Sequence, residues 1–394
     1  MLALVQAAHK AEEGQCAILK WRPAIAALER GESIYGRDDL SVREGFPTLP
    51  TTALCLRPWL AFDDLGAGVL WAAFKLALAW WMVATVARMA AGALPDFPPW
   101  GLLALVVLLA RVLLSDIAHG NINIPVAACV VAAASSWGRG RERAAGLWAA
   151  LGATLKVTPA LFLAYFAWKR SPRAVLWMLA GVTLFAFVIP GALLGFERHF
   201  ALVGEWSEQM LEPHLSGSEL TRRQTEHINQ SLTGWLGRLL TDSTAIVARP
   251  PYFERDLSIH WLALEQSAFR AVFLTAAAAL LAFVARHTRG PREPRVALRE
   301  FALVALAMLL LSERSWKQHF VVMALPLASL VATAFAPETE AARRRFAVGV
   351  LGVVAALTGL TGEALLGERW SDLAEAYGVW TVAALALLFG LARS

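Results

Sequence analysis

Long apolar runs recur along most of this chain, and they constrain its fold more than any other feature. They cover roughly residues 66–92, 100–116, 122–137, 145–168, 174–195, 268–287, 299–312, 319–336, 346–362 and 375–392. A helix of about 20 apolar residues crosses the hydrocarbon core of a bilayer. Backbone polar groups find no water there, so runs of this length must bond internally as helices. Composition agrees: 57% of the 394 residues are hydrophobic and 17% are charged, against about a quarter charged in a soluble domain. The expected fold class is an all-α integral membrane protein, a polytopic bundle of about nine to eleven transmembrane or re-entrant helices.

Charge sets the sides. Four basic clusters lie between runs: Arg139/Arg141/Arg143, Lys169/Arg170/Arg173, Arg286/Arg289/Arg292/Arg295/Arg299 and Arg343/Arg344/Arg345. This is the orienting pattern of cytoplasmic loops, so all four are placed inside. The net charge of +5 is thereby explained without a nucleic-acid partner. Two of the clusters flank the single run 145–168 and want the same side. A bent hairpin resolves the conflict, with Pro159 supplying the break. Lys156 then lies near the tip, facing the outer leaflet or an outward cavity. A lysine within hydrocarbon is expensive and marks a functional site by default. The plain alternative is a lysine snorkelling from an ordinary helix end.

With this topology the polar stretches sort to the outer side. "SDIAHGNINIP" (Ser115–Pro125), "SERSWKQHF" (Ser312–Phe320), the segment 196–267 and the N-terminal segment up to Asp64 all meet that face. The expected organisation is an outer segment 1–64 with a re-entrant or interfacial piece, and a helical bundle 65–195 containing the hairpin. An outer loop 196–267 with interfacial helices and a second bundle 268–394 follow. The N-terminus "MLALVQAAHKAEEGQ" lacks the pattern of a signal peptide. The spacing of Cys16, Cys55 and Cys129 suggests no metal site. No phosphate-cradling glycine motif, zincin histidine pair or nucleophile elbow occurs.

Four stretches resemble one family. "HGNINIPVAACVVAAASSWGRGRERAAGLWAALGATLKVTPALFLAYFAWKR" is similar to a G-Q-x-N, G-R and L-K-x-x-P-A-L-x-x-x-Y block. "NQSLTGWLGRLL" is similar to an N-Q-S-L segment before a helix, and "SERSWKQHFVVMALPL" to an S-P-x-S-W-x-H-H motif ending in P-L. "ALERGESIYG" with "FPTLPTTALCLRPW" is similar to the A-L-x-x-G-x-x-x-Y and Y-P-P-L elements of a first outer loop. In their order along the chain and their spacing they resemble glycosyltransferase family 87, the polyprenol-phosphate-mannose-dependent alpha-mannosyltransferase-like proteins of the GT-C fold. Four departures stand out. The Asp that opens the family's first outer loop, its expected base, falls on Ala17. Gln318 replaces the first His of the His-His pair, leaving His319, and Asn121 replaces the Gln of G-Q-x-N. The family's apolar span before the first outer loop is not found in this N-terminus.

The resemblance implies an inverting hexosyl transfer, with mannose favoured, from a polyprenyl-phosphate donor to a lipid or glycan acceptor at the outer face. The lipid-linked sugar is a substrate, and no cofactor or metal is implied. The expected partners are that donor, the acceptor and membrane lipids. The expected location is the bacterial cytoplasmic membrane, with the active site outward. Such a transfer needs a cation for the leaving phosphate, a proton acceptor and groups that orient the sugar. Lys156 suits the phosphate, with Arg314 and Lys317 as helpers. Candidate bases on the outer side are Asp38, Asp39, Glu44, Asp116 and Glu313, together with His119 and His319. The chosen proton-handling group is His319 with Asp38 or Asp39. Asp116 and His119 are three apart and share a face if the helix continues; helix-end capping is the alternative. Asn123, Asn229 and Gln230 suit sugar or phosphate hydrogen bonding, or serve as caps. Trp316 stacks on a sugar or joins the interfacial aromatic belt. Lys75 and Arg111 lie within spans, and either is able to pair with Asp116 or Glu313. Two rival functions stay open, a lipid or solute transporter and a non-catalytic family member that binds lipid-linked sugar.

Overall fold

The computed structural model describes residues 2–35, 46–92, 97–212, 220, 222–336 and 339–393. Among these residues the fold is all-α, with only two isolated bridges, Ile246–Leu257 and Arg249–Phe253. Every apolar run becomes helical. Asp64–Ala91, Pro99–His119, Pro172–Leu194, Gln266–His287 and Lys317–Phe335 are long and apolar enough to cross a bilayer. The pair Ala341–Leu360 and Glu363–Ala376, bent by 91°, makes a sixth if it counts as one broken span. Asn123–Gly138, Thr158–Trp168 and Val379–Arg393 are apolar but shorter. The chain is a polytopic membrane protein.

The chain divides into two compact units, residues 1–82 with 113–218 and residues 83–112 with 219–394. In the first unit, helix Glu142–Leu155 packs on helix Pro172–Val182 through small residues. A Cβ on Gly146 would lie 2.5 Å from the Ala174 carbonyl oxygen, and one on Gly181 would lie 2.6 Å from Ala150 Cβ. Lipid gives apolar side chains no reason to leave it, so close backbone approach of this kind supplies the packing attraction.

The Glu142–Leu155 helix stops at Lys156, whose backbone is extended (φ −155°, ψ 126°). A short 3-10 turn, Thr158–Ala160, then leads into helix Leu161–Trp168. Pro159, at the turn, cannot donate to a continuing helix. The two ends of this segment meet: Ser171 Oγ donates to Glu142 Oε2 at 2.9 Å. Trp137 sits against both Tyr165 and Phe166, with ring centroids 5.8 and 5.2 Å away. The chain therefore turns back at Lys156.

The polar N-terminal segment is folded into the same unit. Helices Ala17–Lys20, Arg22–Glu29 and Pro50–Leu56 bury Ile18, Trp21, Ile25, Leu28 and Leu56 in one cluster with Tyr35 and Phe46. Helix Phe196–Met210 closes it with Leu202 and Trp206. Tyr35 donates to the Thr48 carbonyl at 2.6 Å. Burial holds its phenol above the usual range, so it is neutral at physiological pH.

The second unit is built around helix Pro294–Leu311, which is buried along nearly its whole length. Helix Gln266–His287 is the opposite case: only 11% of its apolar window is buried within the protein, which suits a lipid-facing helix. The expected runs 346–362 and 375–392 are separated by Glu363–Ala376, itself interrupted at Gly367 (φ 75°). This acidic segment packs against residues 227–259 and holds Arg249 through Glu368 at 2.7 Å and through Asp372 at 2.5 Å.

Candidate functional site

The first unit gathers a chain of polar groups inside its helices. Lys75 on helix Asp64–Ala91 and Asp116 on helix Pro99–His119 form an ion pair, Nζ to Oδ2 2.8 Å, and both side chains are 0% exposed. Lys75 also donates to the Asp116 carbonyl. The other oxygen of Asp116 accepts from Asn123 Nδ2 at 2.9 Å, and Oδ2 accepts from the Ile124 backbone N–H at 3.3 Å. Asn123 Oδ1 in turn accepts from Lys156 Nζ at 3.1 Å. Lys75, Asp116 and Asn123 are buried, whereas Lys156 is half-buried. The network thus runs from a closed interior to a cation that reaches the surface at the helix break.

This geometry assigns different work to residues grouped together by sequence. From sequence, Asp116 is a candidate base or a helix-end cap. Its oxygens instead accept from Lys75, Asn123 and a backbone amide, and it is sealed from solvent. It is an anchor that fixes the Asn123 amide, and through it Lys156. An isolated carboxylate could not stay charged there; the Lys75 partner compensates it.

The turn after Asp116 carries the second part of the group. His119 Nδ1 lies 2.8 Å from the Ser115 carbonyl. A carbonyl only accepts, so Nδ1 holds the proton and Nε2 is the acceptor nitrogen of the neutral ring. Lys10 Nζ approaches that Nε2 at 3.5 Å. Gly120 follows with φ +71°, and a Cβ there would overlap Cys16 Sγ and come within 3.2 Å of the Ala17 amide nitrogen. Position 17, the expected base position, therefore lies beside the 119–120 turn, and it has no carboxylate. Burial raises the Cys16 thiol above its ordinary value, so Cys16 supplies no thiolate base in its place. Trp71 pins the turn by donating to the Gly120 carbonyl at 2.8 Å.

The second unit holds another polar group. Asn229 Nδ2 donates to the Gln224 and Glu313 carbonyls at 2.8 and 2.9 Å. Asn229 Oδ1 accepts from the Ser231 and Ser315 amides at 3.1 and 2.9 Å. Gln230 donates to the His227 and Glu375 carbonyls, both at 2.6 Å, and accepts from the Trp380 amide at 3.2 Å. Both residues are fully buried. They were expected to bind sugar or phosphate; the structure uses both ends of each amide to tie loops together. A substrate contact would have to break those bonds, each costing the desolvation of a buried group.

His319 was chosen for proton handling. Its Nδ1 accepts from the Trp316 amide at 3.1 Å, and its ring lies nearly parallel to the Trp316 indole, 6.1 Å away. With Nδ1 as acceptor, the neutral ring carries its proton on Nε2 and presents a donor. Its one lone pair, on Nδ1, is engaged by the Trp316 amide. Lys317 Nζ and Arg111 lie 3.6 and 3.8 Å from Glu375 Oε1, and Arg314 Nε lies 3.7 Å from Glu313 Oε1. Arg111 thus pairs with Glu375, which reads from sequence only as the start of a span. Asp38, Asp39 and Glu44 lie outside the described residues. Among the described residues no group of three or more metal-ligating side chains comes together.

Sequence reasoning missed Arg238. It is fully buried on helix Leu232–Leu240 and donates to the carbonyls of Glu226, Asn229 and Ala376 at 2.8 to 2.9 Å. Its signal was an arginine on the apolar side of "LTGWLGRLL", where a charge must find partners.

Comparison with known proteins gives one match. The sequence model of glycosyltransferase family 87 matches residues 49–313. No curated protein and no solved structure matches the chain.

Proposed function

The chain belongs to glycosyltransferase family 87, and from this we propose that it moves a hexose from a polyprenyl-phosphate donor to a lipid or glycan acceptor. The coarser statement, that it is a membrane glycosyltransferase, follows from membership and from the apolar helices. Mannose, the polyprenyl carrier, inversion at the sugar and the outer face of the bacterial cytoplasmic membrane are parts of the proposal.

One observation carries it. Lys156 is a half-buried cation at a helix break, held by Asn123, which is held by the Lys75–Asp116 pair. A fixed cation of this kind stabilises a phosphate as it leaves, because its orientation is set before the charge develops. An ammonium has three donors, so the bond to Asn123 and a bond to a phosphate oxygen are compatible. In the first unit the proton acceptor we propose is His119, through Nε2. It stands on the turn beside Ala17, and its Nε2 lone pair faces the Lys10 ammonium at 3.5 Å, whereas the lone pair of His319 is taken by the Trp316 amide. Asp38 and Asp39 stay candidates for a supporting carboxylate. In the step, the acceptor oxygen attacks the anomeric carbon and its proton passes to His119. The carbon–oxygen bond to phosphate breaks, and the polyprenyl phosphate departs as an anion beside Lys156.

A transfer assay with lipid-linked hexose tests both assignments. Lys156→Gln should lower the rate on the order of a hundredfold to a thousandfold, and His119→Gln on the order of a hundredfold or more. Both variants should remain folded. Wild-type turnover by Lys156→Gln refutes the phosphate assignment. Wild-type turnover by His119→Gln moves the base to Asp38 or Asp39, whose joint replacement by Asn is the companion variant.

A further inference from the structure

The second unit contains a cavity that has no part in the proposed transfer. Its volume is about 420 Å³, and its walls include Arg295, Arg299, Arg343, Glu340, Ser329 and Thr333. That is within the range of small-molecule sites, about 300–1,000 Å³.

Its position follows from the helices that form it. Arg295 and Arg299 lie near the start of helix Pro294–Leu311, and Ser329 and Thr333 lie near the end of Lys317–Phe335. Glu340 and Arg343 lie at the start of Ala341–Leu360. The segment Ser312–His319 is at the other end of the first two helices. The cavity and that segment are therefore separated by the length of a helix, roughly 27 Å for 18 residues. The positive-inside pattern places the cavity end on the cytoplasmic face.

The charges in the cavity do not cancel. Among the described lining residues, three guanidiniums face one carboxylate, an excess of two positive charges. Arg295 is pinned to the end of helix Asp64–Ala91, donating to the Ala90 and Ala91 carbonyls at 2.9 and 2.6 Å. This anchors one wall. Arg299 and Arg343 make no hydrogen bond or ion pair among the described residues. Two cations without partners at the mouth of a cavity are the complement of an anion with several acceptor oxygens. Phe335, one turn beyond the cavity-lining Ala332, is 40% exposed. An apolar ring beside a basic cavity at the end of a span suits an amphipathic ligand.

We propose that this cavity binds the phosphate headgroup of an anionic membrane lipid, with the acyl chains running outward past Phe335. Basic pockets between spans on the cytoplasmic side take such headgroups, and the surrounding bilayer supplies the ligand.

The test uses the full chain purified in neutral detergent, with phosphatidylglycerol and phosphatidylcholine as probes and native mass spectrometry as the readout. Phosphatidylglycerol should be retained in preference to phosphatidylcholine. Arg299→Gln with Arg343→Gln should weaken phosphatidylglycerol binding about thirtyfold, from the loss of two surface cations. The pair Arg299→Lys with Arg343→Lys should keep most of the affinity. Ala332→Phe, which fills the cavity without changing charge, should also lose the lipid. Lipid-free melting temperatures show whether each variant is folded, and the two designs fail independently. Equal retention of both lipids overturns the proposal, as does unchanged phosphatidylglycerol binding by a folded Gln/Gln variant. Displacement of phosphatidylglycerol by millimolar inorganic phosphate overturns the lipid in favour of a soluble anion.

Discussion

Replacing Asp116 by Asn removes one charge from a pair that has no exposure to solvent and is closed at 2.8 Å. The asparagine keeps nearly the same shape and one carbonyl oxygen, so the Asn123 amide still has an acceptor. What changes is that Lys75 becomes an uncompensated buried cation. Breaking a buried pair from one side costs about 3–5 kcal/mol. At about 1.4 kcal/mol per factor of ten, the folded population falls relative to the unfolded by two to nearly four orders of magnitude. Lys75→Met strands Asp116 instead and should cost a similar amount. The double variant, Lys75→Met with Asp116→Asn, leaves no buried charge and should recover much of the loss. Recovery of this kind requires a coupling in the double-mutant cycle that exceeds the cost of either single variant, above about 3–5 kcal/mol and beyond the usual range for residues in contact. Reversible unfolding of the detergent-solubilised protein, followed by circular dichroism, measures all four variants. Transfer activity gives a second reading. The double variant should fold and yet transfer slowly, because a neutral amide at position 116 holds Asn123, and hence Lys156, less firmly than the carboxylate does. Two single variants that each lie within about 1 kcal/mol of wild type would show that the pair does not carry the network. A double variant with full activity would show that Lys156 needs no bracing.

Gly120→Ala should destabilise the fold by about 2–4 kcal/mol, from the left-handed backbone and the overlap with Cys16. Adding Cys16→Ala should relieve the overlap but not the backbone strain, and equal melting temperatures for the single and double variants would count against this. Gln230→Ala strands the Trp380 amide and the Glu375 and His227 carbonyls. It should cost about 2 kcal/mol or more in stability, and a variant that lost only sugar affinity would restore Gln230 to a binding role. Cys16 gives a pH signature. Its pKa is raised from the ordinary 9.0 by burial, so the folded state binds the thiol proton more tightly than the unfolded state. Its contribution is full below pH 9.0 and is lost as pH rises through the higher folded value. Cys16→Ala should flatten the alkaline part of the stability profile, and unchanged slopes would refute the assignment.

The helices were legible because an apolar run of bilayer length has one way to satisfy its backbone. The break at Lys156 was legible for a related reason: a lysine and a proline in one run, with basic clusters at both ends, conflict with a straight span. Side-chain roles were less accessible. Asn229 and Gln230 carry the same donors and acceptors whether they meet a sugar or a backbone carbonyl, so sequence cannot tell a ligand contact from a loop tie. The opposite tautomers of His119 and His319 depend on which nitrogen meets a carbonyl and which meets an amide, a matter of rotamer and turn. Asp116 and Lys75 were open partners among several, and packing selected them. Glu375 was hidden because "SDLAEAYGVW" reads as the approach to a span, and its contact with Arg111 joins residues far apart in the chain.

The bent acidic segment Glu363–Ala376 lies beyond the residues that match the family, yet residues inside the match depend on it. Arg238 and Gln230 both donate to its backbone carbonyls, Arg249 is clamped by Glu368 and Asp372, and Arg111 faces Glu375. A boundary drawn from sequence similarity would cut through this set. A chimera that kept residues 49–313 and took the residues after 313 from a relative would leave two buried donors and two arginines without their acceptors. The unit of exchange in this fold is larger than the unit of resemblance: the tail has to travel with the loop it braces.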